Sequence, residues 1–155
     1  MRLGLPRPAP YIRRSPIDAA AKKVPIMQQE QASAQGARRA PEPPIHGPEG
    51  FEGMRRAGRL TAEALDLLME ATQPGVTTEE LDKLAYTFAM DHGAYPASLL
   101  YRGYPKSICT SINHVVCHGI PNDKPLREGD IVNLDICLIL DGWHGDSSRM
   151  AYVGE

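Results

Sequence analysis

NLDICLILDGWHGDSSRM, residues Asn133 to Met150, decides the fold. Asp141-Gly142 reads as a two-residue hairpin turn, because both central positions of a type I′ turn take positive φ. With that loop Leu140 faces Trp143, Cys137 faces Asp146 and Asp135 faces Ser148. Side chains alternate faces along a strand. Val132, Leu134, Ile136, Leu138 and Leu140 then make one wholly apolar face, and Asp135, Cys137 and Asp146 share the other with His144 nearer the turn. A three-residue loop would instead put the two acids on opposite faces.

In the two-residue register the carboxylates are diagonal cross-strand neighbours, with Cβ atoms about 7 Å apart or less. An ionised carboxylate taken out of water is costly unless it is paired or bound to a metal. Two acids on one face of an apolar hairpin point to a shared cation, and oxygen donors suit Mn²⁺, Fe²⁺, Co²⁺ or Zn²⁺. The competing reading has one Asp accepting turn or Ser hydrogen bonds and the other at a wet edge. His118, in VVCHGIP, precedes a Gly and a turn, where a polar group can be aimed into a cleft. A lone loop His is more often a surface residue. His46 and His92 read as structural or solvated, and His114 is left unassigned.

Working toward the N-terminus, PNDKPLREGD is a connection rich in turn formers, and SICTSI and HVVCHGI are short β-prone runs. Two helices come before them. Gly47 as N-cap, Pro48 at the first helical position and Glu49 open one. Its buried face is expected to hold Met54, Ala57, Thr61, Ala64, Leu65 and Leu68. Thr77 and Glu80 form a capping box for the second, with Val76 and Leu81 as a hydrophobic staple. Leu81, Leu84, Ala85, Phe88 and Ala89 line its inner face, and Gly93 closes it.

Residues 1–46 are rich in Pro, Ala and Gln and read as a disordered tail; order begins at Gly47 and runs to Glu155. The basic start, Met1 to Lys23, also admits a transit peptide, against which its prolines stand, and the prolines offer a weak SH3-type signal. The 155 residues suffice for one domain, at 42% hydrophobic and 23% charged. A net charge of −2 gives no electrostatic reason to expect nucleic acid or an anionic membrane as partner. No apolar run approaches the ~20 residues that span a bilayer. Three cysteines without a CxxC pair disfavour a disulfide scaffold or zinc finger.

Taken together, MRRAGRL, PGVTTEELD, the run from Gly103 to Met150 and YVGE resemble the N-terminal half of a type I methionine aminopeptidase. The resemblance covers Gly47 to Glu155. VCHGIP followed by the paired-Asp hairpin sets it apart from prolidases and aminopeptidases P, which share the fold. It implies an α/β (α+β) pita-bread fold, first half only, with helices packed on an antiparallel sheet. It implies two divalent metal ions per full-length subunit (Co, Mn, Fe or Zn), held by two Asp, one His and two Glu. Asp135 matches a ligand of one metal and Asp146 the bridging ligand. His118 matches the histidine that touches the substrate backbone. Tyr101, Tyr104 and Cys109 match the methionine pocket, and Ser98 stands where many members have Cys. A monovalent-cation site matches Asn113 and Val115.

The implied reaction is removal of N-terminal methionine from nascent chains with a small second residue, by attack of a metal-bridging water on the first peptide bond. Implied partners are those nascent chains and the ribosome, with no nucleic acid or membrane, for an enzyme that is a monomer when full length. The absence of cysteine-rich fingers points to a bacterial cytoplasmic enzyme, or a mitochondrial or plastid one with a transit segment. The His and Glu ligands belong to a second half, so this chain is expected to be inactive alone, with an open hairpin edge and an uncovered apolar face. The rival readings are a catalytically dead half-domain, a dipeptidase cutting before proline, and a non-catalytic binding module of this fold.

Overall fold

The computed structural model describes residues 43–154. The tail expected over residues 1–46 lies outside them, apart from Pro43 to His46, which are exposed and without regular structure. The elements are α1 (Pro48–Ala71), α2 (Thr78–Asp91), β1 (Tyr95–Pro96), a 3-10 turn (Tyr101–Gly103), β2 (Cys109–Ile112), β3 (Ile131–Leu140) and β4 (Trp143–Tyr152).

β3 and β4 pair antiparallel along their full length in the expected register, from Ile131↔Tyr152 to Leu140↔Trp143. Asp141 (φ 51°) and Gly142 (φ 85°) both take positive φ, as the two-residue turn demands. With one edge of β3 taken by β4, the other edge serves two short strands. β1 pairs at Leu138 and Ile139, and β2 pairs from Val132 to Asp135, both antiparallel. Among the described residues no strand pairs with the outer edge of β4.

Gly47 is the N-cap of α1 and Pro48 follows it. The buried stripe differs from expectation. Met54 is 48% exposed, whereas Gly50 and Leu60 are buried with Ala57, Thr61, Ala64, Leu65 and Leu68. The cause is close approach to the hairpin. A Cβ on Gly145 would lie 2.3 Å from Ala57 O, and one on Gly53 would lie 2.4 Å from the Trp143 ring. Thr61 Oγ1 lies 3.0 Å from Gly145 O. Seating α1 on β4 through these small residues turns Met54 outward.

α2 begins with the full capping box: Thr77 Oγ1 accepts from Glu80 N–H, and the Glu80 carboxylate accepts from Thr77 N–H. It ends in a Schellman pair, Gly93 N–H to Met90 O and Ala94 N–H to Ala89 O, with Gly93 at φ 68°.

α1 and α2 cover the apolar face of the sheet. Val132, Leu134, Ile136 and Leu138 are 0–1% exposed and join Leu65, Leu68 and Leu81 in one core. The uncovered apolar face expected from the sequence is therefore corrected: helices of this same chain bury it. A second correction concerns HVVCHGI, which forms no strand. Asn113 and His118 stand at positive φ, and Val116 is 94% exposed. The segment touches the sheet through Thr110 N–H to Gly119 O (2.8 Å). A Cβ at Gly119 would lie 2.1 Å from Thr110 O, so only glycine allows this approach.

Candidate metal centre

The face of β3 opposite the helices opens on a cleft of about 880 Å³. The hairpin register puts Asp135 and Asp146 on this face, one strand apart and diagonal. β2 adds Cys109, the direct partner of Asp135 across the ladder. Of the site residues expected from the sequence, Asp135, Asp146, His118, Tyr101, Tyr104 and Cys109 line this cleft, and Asn113 and Val115 do not. Ser98 and His144 line it too.

The two acids are not equally withdrawn from water. Asp135 is half-buried in the middle of the sheet, and Asp146 is exposed. Only Asp135 is partly withdrawn from water, because Asp146 sits on β4, whose far edge pairs with no strand among the described residues. Burial pushes the Asp135 carboxyl above its ordinary range. The Asp146 charge pushes the same way, and His118 opposes them. That combination marks a place where a cation would relieve both desolvation and like-charge repulsion. Burial, with the charges of Asp146 and Asp135, pushes the Cys137 thiol up to about 11, so it stands there as a neutral thiol.

His118 reaches the cleft from a loop residue at φ 53°. A bulky non-glycine residue held there is a local cost that surrounding contacts must maintain. The neighbouring Gly119–Thr110 approach supplies them. Tyr104 Oη lies 3.0 Å from Ile108 O and 3.1 Å from Gly119 O, tying the two cleft loops together. Burial, and contact with the Cys109 thiol, hold the Tyr104 phenol well above its ordinary range. Tyr101 is a rim residue, 61% exposed, with the Arg102 guanidinium over its ring at 5.4 Å. Asn113 lies apart from the cleft. Its Nδ2 donates to Asp130 Oδ1 and its Oδ1 accepts from Ile131 N–H.

The donors fit a divalent cation in kind, as two carboxylates converging on one partly dry cleft. They do not complete a shell. Among the described residues no group of three or more His, Cys, Asp or Glu side chains is arranged to hold a metal. Sequence reasoning missed Arg102 and Ile120, which also line the cleft. Neither carries a local signal, since loop geometry alone brings them there.

The model of metallopeptidase family M24 matches residues 52–155. A methionine aminopeptidase of Rickettsia prowazekii is 60% identical over 111 residues, 72% of this chain and 43% of that protein. Its crystal structure superposes with a TM-score of 0.71, covering 72% of this chain and 45% of that one. A mitochondrial methionine aminopeptidase 1D of Dictyostelium discoideum is 50% identical over 72% of this chain and 28% of its own. Aminopeptidase P of E. coli, solved with the inhibitor Pro-Leu, is more distant at 28% identity and TM-score 0.60, covering 70% of this chain and 24% of its own. The chain thus spans less than half the length of each of these relatives.

Proposed function

The chain belongs to metallopeptidase family M24 and has part of its pita-bread fold, and from that premise we propose that it supplies half of the active site of a methionine aminopeptidase. The observation that carries this reading is the convergence of Asp135, Asp146, His118, Tyr104 and Cys109 on one cleft. Use of divalent metal follows from the family; we assign two ions, of Co, Mn, Fe or Zn, which Asp135 and Asp146 would help to hold. When bound they would supply Lewis-acid polarisation of a carbonyl and a more acidic water.

The chain's own residues then have distinct roles. Asp135 and Asp146 hold negative charge where cations are to be gathered. His118 offers an imidazole to the substrate backbone beside them. Cys109, a neutral thiol raised chiefly by burial, and Tyr104 form an apolar wall suited to a methionine side chain. Tyr101 closes the rim. The proposed substrates are nascent polypeptides with a small second residue, met at the ribosome by a monomeric enzyme. Neither nucleic acid nor membrane is assigned as a partner, and among the described residues no helix is long and apolar enough to cross a membrane. The likeness to bacterial enzymes favours the bacterial cytoplasm, and the mitochondrial relative leaves an organelle as the other location. A monovalent cation is assigned to the backbone oxygens of Asn113 and Val115.

The whole protein, loaded with Mn²⁺ or Co²⁺, is expected to release methionine from Met-Ala-Ser and to spare Leu-Ala-Ser and Arg-Pro-Pro. Cleavage of Arg-Pro-Pro in preference to Met-Ala-Ser would overturn this in favour of an enzyme cutting before proline. Residues 1–155 alone should release none, since two carboxylates leave most metal positions unfilled.

A further inference from the structure

Asp82 lies outside the cleft, on the buried face of α2, where it is 8% exposed among Thr78, Leu81, Ala85 and Ala89. Its Oδ1 accepts two main-chain hydrogen bonds, from Ser107 N–H at 2.7 Å and from Ile108 N–H at 3.2 Å. The next residue along is Cys109 of the cleft wall. One turn earlier, Glu79 pairs with Lys106 of the same loop. Thr78 Oγ1 accepts from Asn122 N–H at 2.9 Å, and Glu79 N–H donates to Asn122 O at 2.9 Å. The start of α2 therefore grips two loops. Residues 106–108 lead into Cys109, and residues 120–122 follow directly on His118 and Gly119. On the cleft side Tyr104 joins the same two loops through Ile108 O and Gly119 O.

Burial pushes the Asp82 carboxyl up, and the two amides partly offset that. An apolar residue would fill this helix position without that cost. What the carboxylate adds is a fixed acceptor for two consecutive amides at the entrance to β2. We infer that Asp82 is a positioning residue for substrate selection: by holding Ser107 and Ile108 it sets the depth of the wall formed by Tyr104 and Cys109, and so which apolar N-terminal side chain the cleft accepts. The inference rests on the proposed reading of the cleft as an aminopeptidase side-chain pocket.

The test uses the whole metal-loaded protein. In Asp82→Ala the ratio of kcat/KM for Met-Ala-Ser over Leu-Ala-Ser is expected to fall about tenfold, within the range that pocket fit supplies. The loss should enter through KM for the methionine peptide, with kcat and metal content kept. Asp82→Asn, whose Oδ1 still accepts both amides, should restore the wild-type ratio. An unchanged ratio in Asp82→Ala, or an equal fall in Asp82→Asn, overturns the inference. Should Asp82→Ala not fold, Asp82→Ser, too short to hold both amides, is read in the same way. If the wild-type protein releases no methionine, the proposed function fails, and hydrogen exchange still decides Asp82. Faster exchange of the Ser107, Ile108 and Cys109 amides in Asp82→Ala, against unchanged amides in α1, upholds the clamp, and unchanged exchange at all of them overturns it.

Discussion

The two faces of the β3–β4 hairpin are made by the same twenty or so residues and do opposite work. On one face Val132, Leu134, Ile136 and Leu138 are sealed under α1 and α2. On the other, Asp135, Cys137, His144 and Asp146 open on the cleft. Period-two alternation lets one strand serve stability and chemistry with almost no shared side chains. Substitutions on the two faces should therefore separate: one set moves stability, the other moves turnover.

Asp146→Asn should produce the largest effect. A neutral amide is a poor bridge between cations, and the side chain is exposed, so folding should be untouched. A fall in kcat/KM of about 10³-fold is expected, the scale of losing one electrostatic element of a reacting site. Metal titration and a thermal melt on the same sample check it. Wild-type turnover with wild-type metal stoichiometry would break the assignment.

Leu134→Ala tests the opposite face. At 0% exposure between β2 and β4, its loss should cost about 2–5 kcal/mol of stability. Chemical denaturation measures it, and turnover per folded molecule should stay near wild type. A large change in kcat without a change in midpoint would show that the faces are coupled.

His118→Ala is expected to lower turnover by about 10- to 100-fold, the cost of leaving one substrate backbone group unpaired in the cleft. Metal content by elemental analysis should be unchanged. Loss of one bound ion would make His118 a ligand rather than a substrate contact.

Gly145→Ala is the smallest perturbation and the most pointed. Its new Cβ meets Ala57 O at 2.3 Å, so α1 must shift, at about 1–3 kcal/mol. Gly145 precedes Asp146, so a modest loss of activity alongside the loss of stability would locate where the two faces communicate.

The sequence by itself determined what local geometry controls. Asp141-Gly142 imposed the turn, and the turn imposed the register and therefore the shared face of Asp135 and Asp146. Thr77 with Glu80, Pro48 and Gly93 set the helix ends, because capping depends on neighbours within a few residues. The tertiary structure alone decided the rest. β1 at Tyr95–Pro96 has no strand signal of its own and exists because β3 has a free edge there. HVVCHGI is β-prone yet not a strand, since the glycine-only contact at Thr110 bends it into the loop that carries His118. Met54 fits the helical period but faces water, because small residues dictate how α1 seats on β4. Asp82 had a legible oddity, an acid on an apolar stripe, but its partners lie some twenty-five residues away in a loop. Long-range contacts of this kind leave no periodicity behind, whereas alternation and caps are written within a single turn or strand.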